Sequence, residues 1–313
     1  MLNNLIRYFF FSVLISLVCL NNGCDSSTEP EDCAGESGGN AYIDDCGVCI
    51  SEGSGLIENY LMDCAGNCNG DMMEDCNEEC NGSAFLNMCG VCVEGSTGLN
   101  ENHCGQVIDM DGNIYETVAI GDQIWMAENL KVTHYNNGDI IQSGLNGSEW
   151  LSMAGTESGA FSIYEENIEN MNVYGALYNW FTVSDGRGVC PEEWNVPTID
   201  DWRNLIDYSG GIEVAGGKLK ALGTIETASG LWFDPNLDAS NDYGFSGLPS
   251  GFRHVVNDGF YSLQGSVGYF WSSTEYNDNG SSAYGIGLRS NTADVWLTSF
   301  NEGNGFSVRC VKD

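Results

Sequence analysis

The chain has 313 residues, with 45 Asp and Glu against 10 Lys and Arg, 14 cysteines and 3 histidines. A formal charge of −35 excludes nucleic acid and an anionic membrane surface as natural partners, because both are bound by clustered cations. Three histidines without an HExxH pair leave little room for zinc-hydrolase chemistry, and an aromatic content of 11% separates the chain from disordered acidic polymers.

Charge and cysteine divide the chain into unlike materials. Residues 1–23 hold one cation, Arg7, and no acid. Residues 24–105 hold 17 acids, no Lys or Arg, and 11 of the cysteines. Residues 106–313 hold 28 acids, 9 cations, two cysteines and all eight tryptophans.

The N-terminal stretch reads as an address. After MLNNLIR comes an apolar run, Tyr8 to Leu20, shorter than a bilayer span and suited to a signal-peptide core. It ends in Asn21-Asn22-Gly23-Cys24, which resembles a bacterial lipoprotein signal over residues 1–23, with Cys24 as the lipidated first residue. Asn21 stands where that pattern wants Leu, and Leu20 sits one position further back. The tether at 24–31 (CDSSTEPE) resembles the acidic export signal of surface lipoproteins in Bacteroidetes-like bacteria. The expected location is the outer membrane, facing outward, with the lipid on Cys24 as the membrane contact.

Residues 32–105 form an acidic, cysteine-rich stalk built on an internal repeat. Cys33-x12-Cys46-Gly-Val-Cys49 recurs as Cys76-x12-Cys89-Gly-Val-Cys92, and a shorter unit containing Cys64 and Cys68 lies between. Ten cysteines run from Cys33 to Cys104, an even number downstream of an export signal, so five disulfides are expected. Zinc is a weaker alternative, since His103 is the lone histidine near the CxxC units. The DCAGNCNGD stretch offers Asp63, Asn67, Asn69 and Asp71 as candidate calcium ligands, since calcium prefers carboxylate and amide oxygens. It distantly resembles the calcium repeats of thrombospondin-type modules. No other cofactor is expected. The segment is too poor in large apolar residues to bury a core, so cross-links must replace one.

From Gln106 to Asp313 the pattern turns to alternating apolar and polar residues. Val107–Ile108 and Ile114–Tyr115 flank DMDGN, a hairpin signal that also imitates the start of a calcium loop, with Gly112 too early and no closing acid. A strand follows over Gln123–Lys131, then a Gly- and Ser-rich loop to about Asn172. Thr198–Tyr208 reads as a helix: Thr198 and Asp201 form a capping box, Trp202, Leu205 and Ile206 make one face, and Gly210-Gly211 ends it. A short second helix is expected from about Val214 to Leu222. After Gly244 come short strands separated by Gly and Asn turns. The fold class is α+β, with few helices and several antiparallel strands.

DMDGNIYETVAIGDQIWMAENLK, GALYNWFTV, GVCPEEWNVPTIDDW, VAGGKLKALG, GFSGLPSGFR, YFWSSTEY and GFSVRCVKD occur in this order. Together they resemble the Fibrobacter succinogenes major paralogous domain over about two thirds of the chain. That resemblance implies a bacterial surface or secreted protein, often lipid-anchored, and implies no activity. WNVPTIDDW and the ending GFSVRC are more distantly similar to formylglycine-generating enzymes, which implies a C-type-lectin-like fold and a Cys190–Cys310 disulfide. Such a long loop, once closed, restricts the unfolded chain by about 4–5 kcal/mol on the loop-entropy account. The chemistry does not carry over: residues 191–309 lack the reactive cysteine pair, and the EPN, QPD and WND triplets of calcium-dependent lectins are missing.

No catalytic constellation emerges, so no enzyme activity is expected. His134 and His254 have no GxSxG elbow nearby, and Asp200-Asp201 sit in a first helical turn, where negative charge complements the helix dipole. Glu275, beside Tyr269, Trp271 and Tyr276, is the best functional carboxylate. Trp125, Trp194, Trp202 and Trp271 read as core, whereas Trp150, Trp232 and Trp296 are candidates to line a ligand surface. The leading expectation is a surface lipoprotein displaying a binding or adhesion module for an extracellular ligand such as a polysaccharide. The second is a structural envelope protein without a specific ligand, and the third an enzyme built around a carboxylate such as Glu275.

Overall fold

Acidic turns, in place of apolar faces, organise the cysteine-rich segment. The computed structural model describes residues 29–276 and 281–312, so the signal segment, the lipidation position Cys24 and most of the tether lie outside the described residues. The chain divides into two units, residues 1–74 and 75–313, and the composition boundary near Gly105 falls inside a strand of the second.

The first unit carries one small hairpin, β1 (Tyr42–Ile43) with β2 (Cys49–Ile50), and the disulfides Cys33–Cys49 and Cys46–Cys68. Its recurring part is a five-residue turn anchored by an acid. Asp32 Oδ1 accepts from the amides of Ala34 and Glu36 at 2.9 and 3.0 Å. Asp44 takes the amides of Cys46 and Val48 in the same way, and Asp63 those of Ala65 and Asn67. The fourth residue of each turn, Gly35, Gly47 or Gly66, has φ near +80°, a conformation costly for any residue with a Cβ. The backbone hydrogen bonds to Asp32 and Asp63 hold their carboxyls below the usual carboxylate range.

The second unit repeats the turn at Asp75, Asn87 and Asp109. It adds the hairpin β3 (Phe85–Leu86) with β4 (Cys92–Val93), and the disulfides Cys76–Cys92 and Cys89–Cys104. All ten cysteines from Cys33 to Cys104 are disulfide-bonded. The turn at Asp109 joins β5 (His103–Ile108) to β6 (Ile114–Ile120), pairing Val107 with Tyr115 as the hairpin signal indicated.

β7 (Gln123–Met126) continues this sheet and is shorter than the expected strand, because beyond Met126 the chain turns Asn129 and Leu130 into the core. The Gly- and Ser-rich loop contains helices that the sequence reading left out: α1 (Gly147–Gly155), capped by Asn146 and Glu149, and α2 (Ile168–Tyr174), capped by Asn167. Between and after them come β8 (Phe161–Ser162), β9 (Leu177–Tyr178) and the single turn α3 (Trp180–Val183).

α4 (Ile199–Tyr208) has the expected capping box: Asp201 N–H donates to Thr198 Oγ1 at 3.2 Å, and Thr198 N–H to Asp201 Oδ2 at 2.7 Å. It buries Ile199, Trp202, Leu205 and Ile206. α5 (Ala215–Leu219) follows, then the hairpin β10 (Phe252–Arg253) with β11 (Tyr261–Ser262). A three-stranded antiparallel sheet comprises β12 (Val267–Glu275), β13 (Ser282–Arg289) and β14 (Trp296–Asn301). Finally β15 (Val311–Lys312) pairs with β7, giving the order β15-β7-β6-β5. Antiparallel sheets with few helices make the fold α+β.

The sheet β12–β14 separates two hydrophobic clusters, and strand alternation decides which side each residue serves. Tyr269, Trp271 and Ala283 face a cluster with Tyr178, Phe306 and the Cys190–Cys310 disulfide. Phe270, Ile286 and Leu288 face the other, with Trp125, Trp202, Trp232 and Phe245. Cys190 and Cys310 are 120 positions apart, so their bond ties the loop before α4 to the end of the chain.

Candidate functional site

Of the three tryptophans expected to line a ligand surface, two are buried. Trp150 is 1% exposed: its indole N–H donates to Gly303 O at 2.9 Å, and the Arg253 guanidinium lies 4.5 Å over its ring. Trp232 is fully buried, with its N–H on Gly247 O at 3.1 Å and the Lys220 ammonium 5.7 Å from its ring. Each indole has one polar atom, and in both a buried carbonyl satisfies it, so burial carries little penalty. Both are core residues, which corrects the expectation from sequence.

Trp296 is different. It is 41% exposed at the start of β14, at the rim of the Trp271 cluster. The register aligns Tyr269, Gly287 and Trp296 across the sheet. Without a side chain at Gly287, Tyr269 and Trp296 approach to 6.0 Å between ring centroids, and Phe300 packs 5.4 Å from Trp296. The Arg289 guanidinium lies 5.5 Å over the Trp296 ring and donates to Asp294 Oδ2 at 3.0 Å. An exposed ring beside a paired guanidinium and carboxylate offers a stacking face together with directional hydrogen bonding.

Glu275 stands exposed at the end of β12, in register with Ala283 and away from the Trp296 end of the sheet. The sequence reading passed over Glu302, a carboxyl only 6% exposed whose Oε1 has no hydrogen-bond partner among the described residues. Burial, with smaller contributions from Glu275 and Glu157, pushes its carboxyl above the usual range.

Two buried cations also escaped the sequence reading. Arg309 is fully buried and donates to four neutral oxygens: Asn129 Oδ1 at 2.9 Å, Met126 O at 3.2 Å, Ser246 O at 3.1 Å, and Phe245 O. Burial pushes its pKa down to about 9. Lys220 donates to the carbonyls of Leu237, Arg289 and Thr292 at 2.8–3.0 Å, and burial pushes its ammonium down to about 8. Both fasten backbone segments remote in sequence.

The remaining candidates serve local structure. Asp201 belongs to the helix cap, and Asp200 pairs with Arg203 at 2.8 Å. His134 Nδ1 lies 2.6 Å from Asp111 Oδ1, while the Thr133 hydroxyl donates to Asp111 Oδ2 at 2.7 Å. The Thr133 hydroxyl also lies 3.0 Å from His134 Nδ1, so hydroxyl, imidazole and carboxylate form one local cluster beside the Asp109 turn.

In the calcium candidate set, the Asp63 carboxylate is engaged by its own turn and by the Asn67 side-chain amide at 3.4 Å. Asn69 is in the left-handed region and Asp71 is exposed. No three His, Cys, Asp or Glu side chains among the described residues form a group that could hold a metal ion. A recess lined by Glu128, Asn129, Lys131, Met171 and Gly175 has a volume of about 60 Å³, room for a few waters and far less than a sugar needs.

A search of curated proteins and a search of solved structures each found no match. The family model for the Fibrobacter succinogenes major domain matches residues 118–312, from within β6 to β15 and spanning both clusters and the Trp296 rim. The chain therefore belongs to the Fibrobacter succinogenes major domain family.

Proposed function

We propose that the protein is an exported surface lipoprotein, held in the outer membrane by a lipid on Cys24. Its C-terminal domain is a non-enzymatic, C-type-lectin-like module that binds an extracellular polysaccharide. One observation carries the binding role: Trp296 keeps 41% of its surface exposed beside the Arg289–Asp294 pair, although packing buries Trp150 and Trp232. A sugar ring has an apolar face that stacks on indole and hydroxyls that suit a guanidinium–carboxylate pair. The lectin-like architecture draws support from β15 returning to pair with β7, and from the Cys190–Cys310 bond near that return.

The test is binding of the detergent-solubilised full chain to insoluble polysaccharides and glycan arrays, with and without calcium. Retention that drops at least tenfold in Trp296→Ala supports the reading. Uniform non-binding removes the carbohydrate ligand and leaves the structural envelope role. The anchor is tested separately: Cys24→Ser should move the protein from the detergent phase to the aqueous phase, and unchanged partitioning would refute lipidation.

A further inference from the structure

Between α5 and β12 the chain turns apolar side chains outward among acids. A parallel bridge pairs Thr224 with Trp232, which are 8% and 0% exposed. Successive side chains of extended backbone point to opposite sides, so Ile225 and Phe233 emerge on the outer side, 44% and 41% exposed. Ile225 N–H donates to Trp232 O at 2.8 Å and holds the two segments together.

Two turns extend this face. Phe233 N–H donates to Gly265 O at 2.7 Å, and a Cβ built on Gly265 would meet three atoms of the Phe233 ring at 2.7–3.0 Å. The missing side chain thus seats the ring on the turn that begins at the exposed Leu263. Asn236 N–H donates to Phe233 O, and the buried Asn236 amide donates to the carbonyls of Ala221 and Gly223. That turn is fastened from beneath, while the next residue, Leu237, stays exposed.

The charge beside these side chains has one sign. Glu226, Asp234 and Asp238 are exposed, and Glu226 Oε2 accepts from Asp234 N–H at 3.0 Å. Arg253 is the lone Lys or Arg from 221 to 266, and it is buried against Trp150 and Glu166. Lys220, whose ammonium donates to Leu237 O, is fully buried, and Arg289 is paired with Asp294.

We infer that this patch docks a basic, amphipathic polypeptide segment of another protein. Apolar side chains of the partner cover Ile225, Phe233, Leu237 and Leu263, and its Lys or Arg side chains meet the three carboxylates. A second copy of the chain is repelled, because it brings a charge of −35 to a surface of the same sign. A sugar fits poorly, since Ile225, Leu237 and Leu263 offer no flat ring on which it could stack.

The experiment measures fluorescence anisotropy of a labelled amphipathic Lys/Leu peptide against the detergent-solubilised full chain, with parent and variants at one detergent concentration. Two control peptides replace Leu by Ser, or Lys by Glu. Phe233→Ser and Ile225→Ser should each weaken the Lys/Leu peptide about tenfold, with unchanged thermal midpoints. Ile140→Ser, at a 69% exposed site outside the patch, should leave binding at the parental level. Glu226→Gln, which keeps the acceptor for Asp234 N–H, should flatten the salt dependence. The Lys/Ser peptide should bind more weakly and be indifferent to Phe233→Ser.

Failure of the parent to bind the Lys/Leu peptide overturns the inference, as does equal binding of the Glu/Leu peptide. So does an effect of Ile140→Ser as large as that of Phe233→Ser, which would mean that the acidic chain attracts the peptide without a site. If Phe233→Ser lowers the thermal midpoint, Ile225→Ser decides, and parental binding in it refutes the patch. A parent dimer in sedimentation that Phe233→Ser dissociates would give the face to a second copy and overturn the inference too.

Discussion

Tyr269 and Trp296 face each other across Gly287, their ring centroids 6.0 Å apart, because Gly287 is the register partner of both. A Cβ built on Gly287 would sit 2.8 Å from Tyr269 Cε1 and 3.6 Å from Trp296 Cβ, so one ring has to give way. Gly287→Val should therefore cost about 1–3 kcal/mol in urea unfolding and weaken glycan retention together. A variant with parental stability and unaltered Trp296 fluorescence would show that the glycine does not set the rim.

Arg309 should tolerate no replacement, including lysine. Its planar fork reaches four acceptors at once, which an ammonium on a flexible stem cannot match, and buried acceptors left unpaired carry a desolvation cost. Arg309→Lys is expected to destabilise the domain by about 2–4 kcal/mol, read from the shift in denaturation midpoint.

Glu302 predicts a pH dependence with a definite sign. Its folded-state pKa is raised above the unfolded value, chiefly by burial, so the neutral carboxyl favours the folded state. That contribution is complete below the unfolded pKa and is lost as pH rises through the folded pKa. Glu302→Gln should remove this decline and exceed the parent in stability at neutral pH. Parallel stability-versus-pH curves for the two proteins would contradict it.

The acid-anchored turns predict that oxygen geometry, and not charge, is required. Asn87 already performs the role that Asp75 performs, accepting two backbone amides through Oδ1. Asp75→Asn should leave amide exchange of Asn77 and Glu79 near parental rates, and Asp75→Ala should speed both markedly. Equal acceleration in the two variants would mean that the carboxylate charge matters.

Features legible in the sequence were those encoded by neighbours in the chain. The Thr198–Asp201 capping box needs residues three apart, and the hairpin at Asp109 needs a five-residue turn. α1 was equally available, since Asn146 and Glu149 have capping-box spacing, but flanking Gly and Ser residues masked it. α2 was harder to find: of its residues only Tyr174 is buried, so no apolar periodicity marks it. The acid of the stalk turn recurs through the repeat as plainly as the cysteines do, and its register could have been read as well.

The sequence by itself determined an acidic disulfide-bonded segment, the family blocks and an α+β domain, because each follows from local spacing or composition. Only the tertiary structure decided which tryptophan faces outward. Trp150, Trp232 and Trp296 look alike in their local sequence, yet Gly303 and Gly247 supply buried carbonyls to the first two from segments remote in the chain or brought back by a turn. The partners of Arg309 likewise include Asn129, 180 positions away. Burial of a polar group depends on who satisfies it, and that is known only when distant segments meet.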